Sequence, residues 1–389
     1  MLSVSAFSFK AVCQEENDEG TRKRRKAAQW KGSSSFEEPK VAHQTDISII
    51  SGSTNKTLSD KISQILGKRL SLVDIKKFSD GEIMVSIDES MRGKDVFVIQ
   101  TCSPPVNDNV MELFLTVAAA KRAGATSVTA VIPYFGYKLN RRGLPINTTH
   151  HTRFLWNAAG DIAKMLQVIG ADKVISVDLQ RPGQGHEACF FPHSQLVAET
   201  ISTNDIFVEF FAKLLQGNTT GPLNLSVVSP NTEYTKKARK FQKKLRTILP
   251  SDCTVDRAVF LRSDAETVKG AQLEIQGDVR NKDVILIEDY IDSTVHLTIL
   301  ANKLLRDGAR RVFICASHGY FDEHGVRLLE LSPISKVVIS DSIEMPKQKS
   351  EKIVQLSIAP LLAAVIESDI AFTPQSEFNN QEDEDYVVE

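Results

Sequence analysis

The sequence lacks the features that mark several broad classes of protein. No apolar run approaches the roughly 20 residues that a helix needs to cross a membrane. The net charge is only −2, with 47 lysines and arginines against 49 acids, so no basic field indicates a nucleic-acid partner. Cysteine is sparse, and its pattern predicts reduced thiols in a cytoplasmic protein rather than a disulfide framework or a zinc site. The five cysteines, none in a Cys-x-x-Cys pair, are Cys13, Cys102, Cys189, Cys253 and Cys315.

What the chain does contain is an ordinary globular composition. Its 389 residues are 42% hydrophobic and 25% charged, which predicts two domains with tails. Residues 1–44 are polar and mixed in charge, so we expect a disordered N-terminal extension. Its basic cluster, RKRRKAAQWK, is interpreted as solvated tail, with nuclear localisation or polyanion binding as the alternative. Residues 373–389 are predicted to form a short acidic tail.

Between the tails, short apolar segments rich in valine and isoleucine alternate with amphipathic ones. This pattern predicts an α/β protein with mainly parallel central sheets. Residues 118–135 and 301–321 share one order: a helix, Gly-Ala, a short gap and a buried strand, and residues 168–179 repeat the Gly-Ala step. The repeat favours two similar domains, and convergent loop chemistry is the alternative. We place the N-terminal domain at 45–190 and the C-terminal domain at 191–372.

Polar residues follow several of the predicted strands. In parallel sheets, ligands bind beyond the carboxyl ends of the strands, so these residues are candidates for a common site. Hydroxyls and backbone N–H groups hold phosphate, and carboxylates hold Mg²⁺ or ribose hydroxyls. Each residue alone also fits a helix cap or turn. The segments are Ser51–Ser53, Tyr134–Tyr137, Asp178, Ser229–Asn231, Glu288–Asp289 and Ser317–Gly319.

A family resemblance extends over most of the chain. The segments KKFSDGEIMVSIDESMRGKDVFVIQ, TAVIPYFGY, GADKVISVDL and DVILIEDYID occur in an order that resembles the ribose-phosphate pyrophosphokinases, over about residues 46–370. The resemblance implies two tandem phosphoribosyltransferase-like domains. It also implies transfer of the β,γ-diphosphoryl group of MgATP to the 1-hydroxyl of ribose 5-phosphate, giving phosphoribosyl pyrophosphate and AMP. The family implies an oligomer, with ATP at a subunit interface.

The resemblance also implies roles for individual residues. Asp178 matches a metal ligand of the family and would bind Mg²⁺ if the ligand site is retained. Arg262 matches a catalytic cation. The implied nucleotide-binding residues are Phe78, Asp80, Glu82, Lys138 and Asn140. The implied ribose-phosphate-binding residues are Glu288, Asp289, Asp292, Ser293 and Thr294.

Several positions depart from the family pattern. Leu139 and Gln180 replace an arginine and a histidine, and Asp264 reverses the charge of a catalytic lysine or arginine. In the turn after Ser229 both glycines are replaced, although close backbone approach to a ligand needs glycine. Val295 and His296 take the glycine and threonine places of the phosphate turn, and a β-branched residue there disfavours positive φ.

These departures lead to a hypothesis about function. We predict a catalytically impaired or regulatory subunit that assembles with active synthetase subunits, as a homo- or hetero-oligomer. ATP and ribose 5-phosphate remain candidate ligands, and no nucleic acid or membrane partner is expected. One alternative is an active ribose-phosphate diphosphokinase with a remodelled site. Another is a non-catalytic sensor of nucleotides or sugar phosphates.

Overall fold

A computed structural model describes residues 46–138, 158–179, 196–217, 221–262, 273–348 and 350–371. Both predicted tails lie outside this part of the chain, as do Leu139, Asn140, Gln180 and Asp264. No helix within the described ranges is long and apolar enough to cross a membrane.

Strands and helices alternate along the chain, as the apolar periodicity predicts. The strands are β1 (Ile47–Ser51), β2 (Val73–Lys77), β3 (Ile83–Ile87), β4 (Asp95–Ile99), β5 (Ser127–Ile132), β6 (Lys173–Val177), β7 (Val197–Ile201), β8 (Asn224–Ser229), β9 (Thr254–Arg262), β10 (Leu273–Gln276), β11 (Asp283–Ile291), β12 (Arg311–Gly319), β13 (Lys336–Ser340) and β14 (Ile353–Leu356). The helices are α1 (Lys56–Leu66), α2 (Val106–Arg122), α3 (Ala158–Val168), α4 (Asn204–Gly217), α5 (Thr235–Ile248), α6 (Thr294–Arg306), α7 (Glu323–Leu331) and α8 (Ala359–Ala371).

Two parallel sheets form the centre of the molecule. The first has the order β1-β4-β5-β6-β7, and all its pairs are parallel. The second has the order β10-β9-β8-β11-β12-β13-β14, and its edge strand β10 is antiparallel to β9. The predicted α/β class with mainly parallel sheets is therefore confirmed. The boundary between residues 190 and 191 stays a prediction, and strand β7 pairs with the first sheet.

Helices cover both faces of each sheet, because the strands are apolar on both sides. The first sheet packs against α2 and α3 on one face and against α1 and α8 on the other. The second sheet packs against α6 and α7 on one face and against α4 and α5 on the other. The C-terminal helix α8 thus returns to the first sheet, where Leu362 and Ile366 are buried beside Ile49 and Ile62.

The repeated Gly-Ala turns have a common backbone conformation. Gly124, Gly170 and Gly308 each have a positive φ, of 91°, 107° and 97°. Such left-handed values suit glycine because it has no Cβ, and they end each helix so that the chain enters the next buried strand. The sequence repeat therefore corresponds to the same helix-to-strand connection, used three times.

A separate hairpin packs against α2 and the core of the first sheet. Strands β2 and β3 pair only with each other in an antiparallel two-stranded sheet. Their connection is closed by a hydrogen bond of 2.8 Å from the Phe78 N–H to the Glu82 carbonyl. Phe78, Asp80 and Glu82, which the resemblance assigns to nucleotide binding, are all exposed in this turn.

Candidate functional site

The carboxyl ends of strands from both sheets meet at one polar cluster. Asp178 follows β6 of the first sheet, whereas Asp289 and Ser317 lie near the ends of β11 and β12 of the second. Lys138, a few residues beyond β5, and Lys237, in α5, complete the arrangement. We call Lys138, Asp178, Lys237 and Asp289 the acid–lysine cluster; its residues come from both halves of the chain.

Asp178 is held by neutral donors as well as by lysine. Its Oδ2 atom accepts hydrogen bonds from the hydroxyls of Thr203 and Ser317. The backbone N–H of Thr203 reaches the same oxygen at 3.3 Å, and the Lys237 Nζ lies 3.9 Å away. The φ of Asp178 is 44°, a left-handed value that turns the chain sharply after β6. One carboxylate oxygen therefore already has several partners.

Asp289 is paired through both of its carboxylate oxygens. Its Oδ2 lies 3.0 Å from the Lys138 Nζ, and its Oδ1 lies 3.2 Å from the Lys237 Nζ. The side chains of Lys138 and Asp289 are only 2% and 5% exposed. Lys138 also donates to the backbone carbonyl of Asp178, at 3.2 Å. Water therefore has little access to this ion pair.

Lys237 joins the two acids. Its ammonium donates to the Ser317 hydroxyl at 2.6 Å, in addition to its contacts with Asp178 and Asp289. Sequence reasoning missed Lys237 because it lies in a helix, after the strand end at Ser229 to which attention was confined. Thr203, just before α4, was missed because β7, the strand before it, was not among the predicted strands. The available signal was that each follows a strand end closely and lies at the start of a helix.

The cluster shifts the pKa of each of its members. Burial alone would raise the pKa of Asp289, but attraction to Lys138 and Lys237 lowers it overall. Burial would also raise the pKa of Asp178, but attraction to Lys237 and hydrogen bonds from two hydroxyls lower it overall. Burial disfavours charge on Lys237, yet the two acids outweigh it and raise its pKa. For Lys138 burial is the stronger effect and lowers the pKa, while Asp289 opposes the shift.

Glu288 behaves differently from its neighbour. It is 8% exposed, and burial followed by repulsion from Asp289 raises its pKa to about 8. Glu288 is therefore mostly protonated at neutral pH, and a neutral carboxylic acid can donate a hydrogen bond. The two adjacent acids, which the resemblance assigns to the ribose hydroxyls, carry different charges in this protein.

Aromatic rings line the same junction between the sheets. Tyr134, after β5, stacks on Tyr290 with a centroid distance of 5.1 Å and an interplanar angle of 20°. Its ring also meets His318 edge-on at 5.0 Å, and the Lys138 Nζ lies 5.7 Å from its centroid. Burial, then repulsion from Lys138, lowers the pKa of His318 well below its usual value. This packing keeps Lys138 in a dry environment beside Asp289.

The predicted phosphate turn forms an ordinary helix start. Ser293 caps α6, and its hydroxyl accepts a hydrogen bond from the His296 N–H. Thr294 is buried, Asp292 is exposed, and Val295 is 55% exposed. Val295 lies inside α6 and is not among the described residues with positive φ, so the backbone here suits a β-branched residue. Its isopropyl group instead covers solvent-facing helix surface at this turn.

The remaining predicted site residues lie apart from the acid–lysine cluster in the fold. Arg262 is the last residue of β9, near the edge of the second sheet, and pairs with Leu273 of β10. Phe78, Asp80 and Glu82 lie in the hairpin turn between β2 and β3. The structure thus brings together Lys138, Asp178, Glu288 and Asp289, while these others occupy different elements. Their assigned roles stay predictions.

The residues around Asp178 do not fit a magnesium site as they are arranged. Mg²⁺ takes oxygen ligands in near-octahedral geometry and usually keeps several waters. Here the neighbours of Asp178 are two hydroxyl donors and the Lys237 ammonium, which repels a cation. Within the described ranges, no three histidine, cysteine, aspartate or glutamate residues group in a way that could hold a metal. The Lys237 ammonium beside Asp178 therefore disfavours a cation there, and the role of Asp178 as a metal ligand stays a prediction.

Comparison with known proteins identifies the class to which this fold belongs. A model of the N-terminal domain of ribose phosphate pyrophosphokinase matches residues 47–170, and a model of the phosphoribosyl synthetase-associated domain matches residues 223–371. The crystal structure of phosphoribosylpyrophosphate synthetase from Mycobacterium smegmatis is similar, with a TM-score of 0.71 and 25% identity. The similarity covers 84% of this chain and 99% of that one. The fold is therefore two tandem phosphoribosyltransferase-like domains.

Sequence relatives define the family more narrowly. The ribose-phosphate pyrophosphokinase of Aquifex aeolicus is 36% identical over 322 residues, which is 82% of this chain and 94% of that protein. Ribose-phosphate pyrophosphokinase 1 of Lactococcus lactis is 35% identical over 324 residues, or 83% and 92% of the two chains. The chain belongs to the ribose-phosphate pyrophosphokinase family, whose activity serves nucleotide biosynthesis.

Proposed function

We propose that this chain is a catalytically impaired, regulatory subunit that assembles with active ribose-phosphate pyrophosphokinase subunits. One observation carries the proposal: both oxygens of Asp289 are paired with buried or half-buried lysines of the same chain. An acid that is to hold ribose hydroxyls would first have to give up these ion pairs. Breaking a buried pair is strongly unfavourable, so ribose 5-phosphate is expected to bind weakly.

The charge pattern elsewhere supports the same conclusion. Catalysis of phosphoryl transfer depends on preorganised positive charge around the transferring group. In the sequence, Asp264 stands where the family has a cation, and Leu139 stands where it has an arginine. Meanwhile Lys138 and Lys237 are engaged with Asp289. The family match extends over both halves of the chain, which supports assembly with subunits of the same family.

The activity part of the proposal is tested by a direct assay. The purified full-length chain is incubated with MgATP and ribose 5-phosphate, and AMP is measured by chromatography. We expect AMP formation at least about 100-fold slower than with the Aquifex aeolicus relative assayed alongside, because losing a single stabilising group at such a site commonly costs about that much. Turnover comparable with that enzyme would refute the impaired-subunit proposal.

The assembly part needs a separate measurement. The chain is mixed with an active synthetase from the same cell, and the mixture is analysed by size-exclusion chromatography with light scattering. We expect one mixed species whose AMP formation differs from that of the active subunit alone. Separate elution of the two proteins would remove the regulatory-subunit proposal while leaving the activity result unaffected. The expected place of assembly is the cytoplasm, as the scattered cysteines predict.

A second candidate function is an active ribose-phosphate diphosphokinase with a remodelled site. It is favoured by relatives that bear the enzyme's name and align over 94% and 92% of their own lengths. In that case Lys138 and Lys237 would have to release Asp289 when substrate binds. The AMP assay separates the two candidates directly.

A further inference from the structure

We propose that Lys138 and Lys237 form a built-in cation pair that replaces a divalent metal ion at the junction of the two sheets. The pair neutralises Asp178 and Asp289, so that this chain holds the junction together without Mg²⁺. The inference deepens the proposed function and rests on it, because an impaired subunit that keeps its shape without substrate or metal suits a regulatory role. It concerns this chain's own lysines rather than the residues of its relatives.

The geometry around the two acids suits a pair of cations. Each lysine reaches both acids: Lys138 contacts the carboxylate of Asp289 and the backbone carbonyl of Asp178, and Lys237 contacts both carboxylates. The distances from ammonium nitrogen to oxygen run from 3.0 to 3.9 Å. The Lys237 ammonium therefore lies between the two carboxylates, and the Lys138 ammonium lies against that of Asp289, where a bridging cation would need oxygen ligands.

The charges of the acid–lysine cluster balance without a metal ion. Two lysines and two aspartates make the acid–lysine cluster neutral when all four are ionised. A divalent cation added at this place would bring two further positive charges next to Lys138 and Lys237. Since the side chains of Lys138 and Asp289 are 2% and 5% exposed, water screens this repulsion poorly. Metal binding would require at least one lysine to move away.

The acid–lysine cluster connects the two sheets. Lys138 belongs to the chain that leaves the first sheet, whereas Asp289 lies in the second. In the opposite direction, Lys237 and Ser317 of the second half contact Asp178 of the first. The contacts cross the junction in both directions, so the cluster ties the two sheets together. In a metal-dependent site, the cation and its bound substrate would make this connection between the sheets.

The experiment measures binding of Mn²⁺, a probe for Mg²⁺ that electron paramagnetic resonance detects directly. Full-length wild type, Asp178→Asn, and the double variant Lys138→Met/Lys237→Met are titrated with MnCl₂. Wild type and Asp178→Asn are expected to bind Mn²⁺ equally, within about 2-fold. The double variant frees both acids and is expected to bind Mn²⁺ at least about 10-fold more tightly than wild type. Adding Asp178→Asn to the double variant should abolish that gain.

Two results would overturn the inference. One is Mn²⁺ binding by wild type that weakens 10-fold or more in Asp178→Asn. The other is a folded double variant that gains no Mn²⁺ affinity. If the double variant does not fold, Lys237→Met alone serves instead, because Lys237 is more exposed, at 27% of its side chain. Lys240→Met, on the exposed side of the same helix, is the matched control and should leave Mn²⁺ binding unchanged.

A thermal measurement on the unmodified chain gives an independent readout. The melting temperature of wild type is expected to be unchanged by millimolar MgCl₂, since the junction already has its cations. A rise that disappears in Asp178→Asn would count against the inference. These outcomes are distinct from those of the AMP assay: the chain can be inactive and still bind Mn²⁺ at Asp178, in which case the inference fails and the proposed function stands.

Discussion

Glu288 and Asp289 are neighbours in the sequence, yet their surroundings move their pKa values in opposite directions. Asp289 lies between two lysines that favour its charged form. Glu288 is buried next to that negative charge, so its neutral form is favoured and its pKa rises to about 8. At the scale of single residues, this contrast makes the pH dependence of stability a direct probe of the site.

Stability is expected to fall as the pH rises through neutrality. Folded Glu288 keeps its proton up to a pH of about 8, whereas the unfolded chain loses it near 4.5, so the folded state binds more protons in this window. By linkage, the free energy of unfolding decreases across it, by roughly 3–5 kcal/mol in total. Urea unfolding of wild type and Glu288→Gln, from about pH 5 to about pH 9, measures this change.

The glutamine variant should flatten this part of the profile because it cannot ionise. Glu274→Gln, at an exposed position of β10, is the control and should reproduce the wild-type profile. A Glu288→Gln profile as steep as that of wild type would mean that another group takes up the proton.

At the scale of secondary-structure elements, Asp283 fixes the beginning of the second sheet. Asp283 is fully buried at the first position of β11 and pairs with Arg311 at the first position of β12. Both of its oxygens accept from Arg310 and Arg311, with the Arg310 Nε at 2.8 Å and the Arg311 Nε at 3.0 Å. Burial alone would raise the pKa of Asp283, but the arginines lower it. The Gly308 turn delivers both arginines to this position.

Replacing Asp283 with asparagine is expected to destabilise the protein by about 2–4 kcal/mol, because a buried charge-assisted network loses its acid. The half-exposed arginines regain water, which limits the loss. The loss of stability should be present at neutral pH and disappear in acid. Because the fold lowers the pKa of Asp283, its ionised form stabilises the folded state above the unfolded pKa, and this stabilisation is lost as the pH falls through the folded pKa. Chemical denaturation at several pH values tests this. Asp307→Asn, which breaks the helical Lys303–Asp307 pair, should cost no more than about 0.5 kcal/mol.

Prediction from sequence succeeded best for elements. The alternation of apolar segments with amphipathic helices and the three Gly-Ala turns follow from local chemistry, and the structure confirms them. The prediction failed where a partner is distant in sequence. Lys237 was overlooked because its contacts are with residues of other elements. The nucleotide-binding role of Lys138, which the family resemblance implies, stays a prediction. Local patterns contain no information about which charge will lie opposite.

At the scale of the whole molecule, helix α8 connects the second half of the chain to the first sheet. Helix α8 packs on α1 and buries Leu362 and Ile366 against the first sheet. Asp369 of the same helix pairs with Lys173 of β6 at 2.6 Å. The sequence analysis assigns the residues of α8 to the C-terminal domain at 191–372, and this domain assignment stays a prediction. Its packing nevertheless makes the first sheet depend on residues far along the chain.

Leu362→Ala is therefore expected to destabilise the first sheet specifically. Removing a fully buried leucine side chain commonly costs about 2–4 kcal/mol. Amide hydrogen exchange should become faster in the strands of the first sheet, whose residues share a core with α8, with a smaller change in β12 and β13. The exposed substitution Glu367→Gln in the same helix should leave exchange unchanged. Equal acceleration in both sheets would show that the molecule unfolds as one cooperative unit.

The acid–lysine cluster also constrains how this protein can change by mutation. Loss of Lys138 alone leaves the buried Asp289 with one ammonium partner fewer, and loss of Lys237 deprives Asp178 of its nearby cation. Each single step leaves negative charge without its partner, which commonly costs several kcal/mol when the group is buried. Any mutational route from this arrangement to a cation-binding one therefore passes through less stable intermediates. Selection for stability alone is expected to retain both lysines together, whatever becomes of the activity.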